Sequence, residues 1–305
     1  MTVRKPVSTL DVVASGFVSH RPKLYAIAYR ALGSPWSADD AVQEAWLRLQ
    51  RSDFESINNL EAWLTTVISR VCIDMIRQQV SWREELDGES SLETGSPVDT
   101  STGADPSDAA MRSEDLALAL QIVLSALGPL ERLALVLHDV FALSYNDIAP
   151  IVERTPVAAR QLASRARSRL RDVDVSAIRD RQDTAIVAFL DAARNGDFGS
   201  LLQLLDPEIE LRSDAAAVDL ATKGADNGAP LLDPHLRGVD AVTRVFAGRA
   251  ELARLVGIDG VPAAAYVSDD VVRAIYLITF GTDRITRLDV LADPEHLAAL
   301  RATLQ

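Results

Sequence analysis

The sequence predicts a multidomain protein: two all-α helical domains followed by a C-terminal α+β domain. Three observations predict this. Apolar residues recur at three- and four-residue spacings through residues 17–80 and again through 112–172, the period of helices with one buried face. Between them, residues 84–110 are dominated by Glu, Asp, Ser, Thr, Gly and Pro, with hardly an apolar side chain after Leu92. Beyond residue 260, β-rich runs alternate with short turn signals.

Taken in order, residues 17–80 read as three helices. Leu24, Ile27, Ala28 and Ala31 mark the first apolar face, and Val42, Ala45, Trp46 and Leu49 the second. Leu60, Trp63, Leu64, Val67, Ile68, Val71, Cys72 and Met75 mark the third, with Trp63 read as core. Gly33-Ser-Pro separates the first two, and Ser37 with Asp40 has the form of a capping box. The acidic segment cannot bury enough surface to offset its ordering entropy, so residues 81–111 are expected to be a flexible linker. Helices return at Met111–Leu127 and Leu130–Phe141, then around Tyr145–Val152 and Pro156–Arg171. Thr155 suits an N-cap and Pro156 the first helical position. In the last domain Gln182–Asn195, Phe198–Leu205, Val239–Leu255 and His296–Leu304 read as helices. Glu208–Arg212, Pro262–Val267, Val271–Phe280 and Arg284–Leu291 read as strands, split by Ser-Asp-Asp and Gly-Thr-Asp turns. The domains are therefore expected at 8–80 and 112–173, with the α+β domain at 178–305.

The net charge is −13, but its distribution matters more than its sum. Residues 81–117 hold ten acids and two bases, whereas Arg154–Arg171 holds six arginines and no acid. The chain is acidic with one sharply basic helix. Cys72 is the only cysteine, which excludes an intramolecular disulfide and fits a reducing cytoplasm. No apolar run approaches the ~18 residues of a membrane span, and no signal-peptide core is present, so no membrane association is expected.

The basic helix sits in a suggestive context. Ser144-Tyr-Asn-Asp-Ile-Ala-Pro-Ile-Val-Glu-Arg-Thr-Pro-Val-Ala-Ala-Arg-Gln-Leu-Ala-Ser-Arg-Ala-Arg gives a short helix, a tight turn at Glu153–Thr155 and a second helix rich in Arg, Gln and Ser. That makes a helix-turn-helix candidate, a geometry in which the second helix lies in the major groove. Arg160 and Gln161 have the donor forks that read guanine and adenine. Arg165, Arg167, Arg169 and Arg171 suit phosphates. The bland alternative is a solvated basic helix against an acidic neighbour.

Gly128-Pro-Leu-Glu-Arg-Leu-Ala-Leu-Val-Leu-His-Asp-Val-Phe-Ala-Leu-Ser-Tyr-Asn-Asp-Ile-Ala and Val157-Ala-Ala-Arg-Gln-Leu-Ala-Ser-Arg-Ala-Arg-Ser-Arg-Leu resemble region 4 of the sigma-70 family. Leu24-Tyr-Ala-Ile-Ala-Tyr-Arg-Ala-Leu-Gly, Ala38-Asp-Asp-Ala-Val-Gln-Glu-Ala-Trp-Leu-Arg-Leu and Ala62-Trp-Leu-Thr-Thr-Val-Ile-Ser-Arg-Val-Cys-Ile-Asp-Met-Ile-Arg resemble region 2. The two modules together resemble an extracytoplasmic-function sigma factor. The resemblance implies a promoter-specific initiation factor whose partners are core RNA polymerase and promoter DNA. It implies polymerase contact through Asp39, Asp40, Gln43, Glu44 and Leu47. It implies −10 recognition through Asn58, Asn59, Arg70, Asp74 and Arg77, and −35 recognition through Thr155, Val157, Arg160, Gln161, Ser164, Arg165 and Arg167.

Asp191-Ala-Ala-Arg-Asn-Gly-Asp-Phe-Gly-Ser-Leu-Leu-Gln-Leu-Leu-Asp-Pro-Glu-Ile-Glu-Leu resembles the SnoaL-like, cone-shaped α+β domain, which one group of these factors carries fused and uses to tune its own activity in cis. Members of that group carry a Trp-Leu-Pro-rich linker motif and an Asp-Gly-Gly-Gly segment, where this chain has Ser81-Trp-Arg-Glu-Glu-Leu and Asp214-Ala-Ala-Ala. The resemblance also leaves room for a small-molecule ligand, of unknown identity, within the cone. An alternative reading is a cyclase- or isomerase-type enzyme, or a ligand-binding module, fused to a DNA-binding regulator. Asp214, His235 and His296 are the parts such an enzyme would use. No metal-ligand spacing or glycine-rich phosphate loop is visible, so no catalytic residue, metal or cofactor is expected.

Overall fold

The computed structural model describes residues 9–86, 127–171, 173–300 and 302–304. They form two compact units, Met1–Asp172 and Val173–Gln305.

In the first unit, α1 (Thr9–Leu32), α2 (Pro35–Arg51) and α3 (Leu60–Leu86) make a bundle. Gly33 ends α1 with φ +70°, its amide donating to the Tyr29 carbonyl at 2.7 Å; this left-handed position favours glycine. The cap of α2 is Ser34, whose hydroxyl accepts from Ser37 N, and not the expected Ser37–Asp40 box. Pro35 decides it, because its fixed φ and missing N–H suit the first helical position. The bundle core contains Leu24, Ile27, Ala45, Leu49, Leu64 and Ile68, each nearly sealed from solvent. Phe17 and Trp46 pack α1 on α2 with ring centroids 5.0 Å apart. Trp63, expected in the core, is half-buried. Cys72 is fully buried, which pushes its thiol up to about 12. Helix α3 runs to Leu86, beyond the expected boundary at residue 80; the rest of the expected linker, and the expected helix up to residue 126, lie outside the described residues.

The same unit continues with α4 (Pro129–Leu135), a π-helical turn (Val136–Val140), α5 (Tyr145–Ile151) and α6 (Pro156–Arg171). Glu131 folds back on the Gly128 amide at 3.3 Å to cap α4. A buried Arg132 on α4 donates to the Ala31 carbonyl at the end of α1, 3.1 Å away, and Arg30 lies over the Phe141 ring at 5.6 Å.

The second unit opens with α7 (Val175–Asn195), ended by Gly196 at φ +66°, then α8 (Phe198–Leu204) capped by Asp197. Strand β1 (Leu205–Ser213) leads to α9 (Ala215–Lys223), β2 (His235–Arg237) and α10 (Val239–Phe246). A meander follows: β3 (Ala253–Ile258), β4 (Val261–Ser268), β5 (Val271–Phe280) and β6 (Ile285–Leu291), then α11 (Pro294–Ala299) and β7 (Ala302–Leu304). The seven-stranded sheet runs β2-β1-β6-β5-β4-β3-β7, with β1 and β6 parallel and every other pair antiparallel. Asp259-Gly260 and Asp269-Asp270 turn the first two hairpins, all four at positive φ, the backbone that two-residue hairpins need. Ile186, Phe189, Val242, Phe246, Ile278 and Leu288 form part of the core between helices and sheet.

Two expectations are corrected here, and one element is added. The expected helix Val239–Leu255 stops at Phe246, because Gly248 (φ +72°) and Ala250 (φ +66°) turn the chain and β3 begins at Ala253. The expected helix His296–Leu304 is split, because residues 302–304 pair with β3. Helix α9 was not foreseen, although Asp214 caps it through Ala217 N at 2.7 Å.

Candidate nucleic-acid interface

Helix α6 is amphipathic, with one face sealed and the other reaching solvent. Ala159, Leu162, Ala163, Ala166 and Leu170 are buried at three- and four-residue spacings, so packing fixes the helix and its rotation. Val157, Arg160, Gln161, Ser164 and Arg165 are exposed on the other side, Val157 at 68%. Thr155 caps the helix, accepting from Ala158 N at 3.2 Å, and Glu153 makes the preceding turn at φ +55°. An exposed valine at a helix start is costly to hydrate, and a thymine methyl is a matching apolar surface.

Arg167 differs from its neighbours. Its guanidinium is bidentate to Asp139 (Nε–Oδ2 2.7 Å, Nη2–Oδ1 2.6 Å) and donates to the Tyr145 hydroxyl at 3.0 Å. The Asp139 bonds, outweighing burial and joined by Tyr145, push its pKa further up. Tyr145 in turn stacks on His138 at 4.0 Å and carries the Arg160 guanidinium at 5.3 Å from its ring centre. Asp139 sits in the π-helical turn, so an irregular helix end supplies the anchor for α6. Arg165 and Arg169 flank the Glu131 carboxylate at 3.6 and 2.7 Å. Asp139, Tyr145 and Glu131 were missed in the sequence because their partners stand 22 to 38 residues away.

In the bundle, Asp40, Gln43, Glu44 and Leu47 share one face of α2 by their spacing, with Asp40 and Gln43 exposed. Asp39 is half-buried and lies 4.0 Å from Arg21. Arg48, also unforeseen, bridges α2 and α3: it donates to Glu44 at 2.9 Å and lies 3.8 Å from Asp74. Asp40, Glu44, Asp74 and Arg77 line one cleft there. Asn58 and Asn59 are exposed in the loop before α3, where Asn59 caps the helix through Ala62 N at 3.0 Å. Arg70, Asp74 and Arg77 are exposed along one face of α3. Arg70 donates to the Pro150 carbonyl at 3.3 Å and lies 3.7 Å from Glu153, so it touches the helix-turn-helix.

Residues 17–81 match the family description "Sigma-70 region 2", and residues 117–170 match "Sigma-70, region 4". The "Probable ECF RNA polymerase sigma factor SigI" of Mycobacterium tuberculosis is 31% identical over 300 residues, 98% of this chain and 99% of that protein. The chain belongs to the ECF sigma factor family. It is a promoter-specific transcription initiation factor. The ECF sigma factor SigJ of the same organism is 36% identical over 241 residues, covering 77% of this chain and 72% of that one. The crystal structure of Mycobacterium tuberculosis SigJ aligns over 94% of this chain and 98% of that chain, with 26% identity and a TM-score of 0.40.

The likeness of this ECF sigma factor to SigI spans both units, whereas the candidate acid–base residues lie in the second alone. Asp214 and His296 are both buried and meet at 3.2 Å, while His235 is exposed on β2 opposite Arg212. The Asp214 carboxylate also accepts from the amides of Ala217, Ala292 and Asp293 at 2.7, 3.0 and 3.0 Å. Burial pushes this carboxyl up, but His296 and the three amides hold it below the usual carboxylate range. It ties the start of α9 to the chain after β6. Among the described residues no group of three or more His, Cys, Asp or Glu could hold a metal, and no helix is long and apolar enough to cross a membrane.

Proposed function

We propose that this ECF sigma factor binds core RNA polymerase through Asp39, Asp40, Gln43, Glu44 and Leu47 of α2 and selects promoters through two DNA faces. Residues Asn58, Asn59, Arg70, Asp74 and Arg77 read the −10 element. Helix α6 reads the −35 element through Thr155, Val157, Arg160, Gln161, Ser164 and Arg165. Arg167 serves that face from behind, holding α6 on Asp139. The observation that supports this most is the division of α6 into a sealed apolar face and an exposed face of base- and phosphate-reading side chains. The protein acts in the cytoplasm, where polymerase and promoter meet, and residues 173–305 adjust its output in cis.

The second unit performs no turnover in this reading. The Asp214 carboxylate is engaged by four donors, which suits a scaffold and leaves little basicity for proton transfer.

The test is run-off transcription with purified core polymerase from the region upstream of the protein's own gene. Arg160→Ala with Gln161→Ala is expected to lower output at least tenfold, with polymerase binding retained, since each bidentate base contact discriminates by roughly 1–3 kcal/mol. Asp40→Ala with Glu44→Ala is expected to lose polymerase binding itself. Wild-type output from both double variants would overturn the assignments.

A further inference from the structure

The second unit contains a cavity of about 300 Å³ between α9, the chain at 224–232, the chain at 250–253 and the sheet. Ligand pockets run from roughly 300 to 1,000 Å³, so this one has the size of a small organic molecule. Its origin is legible in the residues. On the sheet, Ala253, Tyr266 and Ala274 lie in one row across β3, β4 and β5. On the helix side stand Ala217 and Ala221, with Ala229 and Ala250 from the flanking chain. Small side chains face one another where larger ones would close the core. Protein interiors rarely leave such space unfilled.

The walls are mostly apolar, with one buried tyrosine among them. Tyr276 follows Ala274 on the same face of β5, is 7% exposed, and lines the cavity with Tyr266. Its ring meets Phe246 edge-on at 6.3 Å. None of the hydrogen bonds among the described residues involves the Tyr276 hydroxyl. Burial, with Tyr266 beside it, pushes that hydroxyl's pKa up, so it stays a neutral donor. Charge is confined to Lys223 and Glu251, both exposed and of opposite sign. Leu231 and Leu252 nearby are 50% and 52% exposed, and Leu252 borders the cavity.

Two of the chain segments that wall the cavity are tied to each other. Arg249 donates to the carbonyls of Ala225 and Ala229 at 3.2 and 2.7 Å, and the Ala250 amide donates to the Gly228 carbonyl at 3.2 Å. Ala250 holds φ +66°, an uncommon backbone for a residue with a side chain and one that collects at ligand clamps. The Asp214–His296 pair is not among the lining residues, so the cavity offers binding without an acid–base pair.

We propose that this cavity binds an uncharged, mainly apolar ring compound through its alanine walls, with the Tyr276 hydroxyl bonded to one polar atom of the ligand. The ECF sigma factor thereby carries a small-molecule site in its second unit, separate from every residue assigned to polymerase or DNA.

The test uses the full chain and N-phenyl-1-naphthylamine, an uncharged apolar fluorophore with a single N–H. Saturable binding of one probe per chain is expected. Ala274→Leu fills the cavity, so it should weaken the probe at least tenfold while keeping or raising Tm. Tyr276→Phe keeps the shape and should weaken it by about fivefold, the worth of one net hydrogen bond. The sulfonated analogue 8-anilino-1-naphthalenesulfonate should bind at least tenfold more weakly, because the interior offers no cation. Absence of saturable binding, or unchanged affinity in both variants, overturns the site; if Ala274→Leu fails to fold, Tyr276→Phe alone decides. Equal affinity for the sulfonate overturns the uncharged-ligand class.

Discussion

Two carboxylates in this protein act as anchors, and each defines a substitution that separates structure from recognition. Asp139 holds Arg167 with two short bonds in a half-buried setting. Asp139→Asn keeps the shape and removes the charge, and is expected to cost about 1–3 kcal/mol, read as a lower urea midpoint. Tyr145→Phe should cost only about 1 kcal/mol, because it deletes the hydroxyl and leaves the ring beneath Arg160. Asp214 is the counterpart in the second unit. Its carboxyl is held below the usual range in the folded chain, so its stabilisation is present above the unfolded carboxyl's pKa and is lost as pH falls through the lower folded value. Asp214→Asn should therefore melt lower than wild type at pH 7, and the gap should narrow below about pH 4. A gap that stays constant with pH would assign the loss to shape rather than charge.

Among elements, α6 carries the clearest expectation. Thr155 closes its first turn through Ala158 N, and loss of such a cap costs about 1 kcal/mol. Thr155→Ala should lower the stability of the helix-turn-helix by that amount in a denaturant melt, and Thr155→Ser should restore it. The start of α6 was readable because cap and proline are adjacent in sequence. The end of α10 was not. Its apolar period continues past residue 246 in the sequence, but the amides of Gly248 and Arg249 both donate to the Ala193 carbonyl on α7, and that distant acceptor turns the chain. Helix α9 was missed for the opposite reason: Asp214 and the alanines after it are good local helix signals, but the segment was weighed only against the Asp-Gly-Gly-Gly of the similar domains and assigned to no element.

For the whole molecule, charge placement governs behaviour. The chain has a net charge of −13, and of the α6 arginines Arg167 is committed to Asp139 while Arg165 and Arg169 attend Glu131. Among the described residues of α6, these ion pairs must compete with phosphates for the same guanidinium groups. DNA binding by the free chain should have a shallow salt dependence, with log K against log salt falling at a slope of about −3 for some three phosphates neutralised. A slope near −8 in a titration of promoter duplex would mean that the ion pairs inside the unit open on binding. The contacts of Arg132 with Ala31, and of Arg70 with Pro150 and Glu153, join the two halves of the first unit. They place the helix-turn-helix beside α3, one of the proposed DNA faces.

The amino-acid order by itself determined the class of each unit, the helix periods of α1–α3, the cap of α6 and the Ser-Asp-Asp and Gly-Thr-Asp turns, because these depend on residues within a few positions of one another. It also carried the resemblance that the SigI match bears out. Tertiary structure alone decided that Arg167 is an anchor, that Arg48 spans α2 and α3, that Asp214 binds the chain after β6, and that β7 is a strand. It also decided that a set of alanines far apart in sequence encloses a cavity. Each of these rests on partners brought together by packing, and no local pattern encodes a distance across the fold.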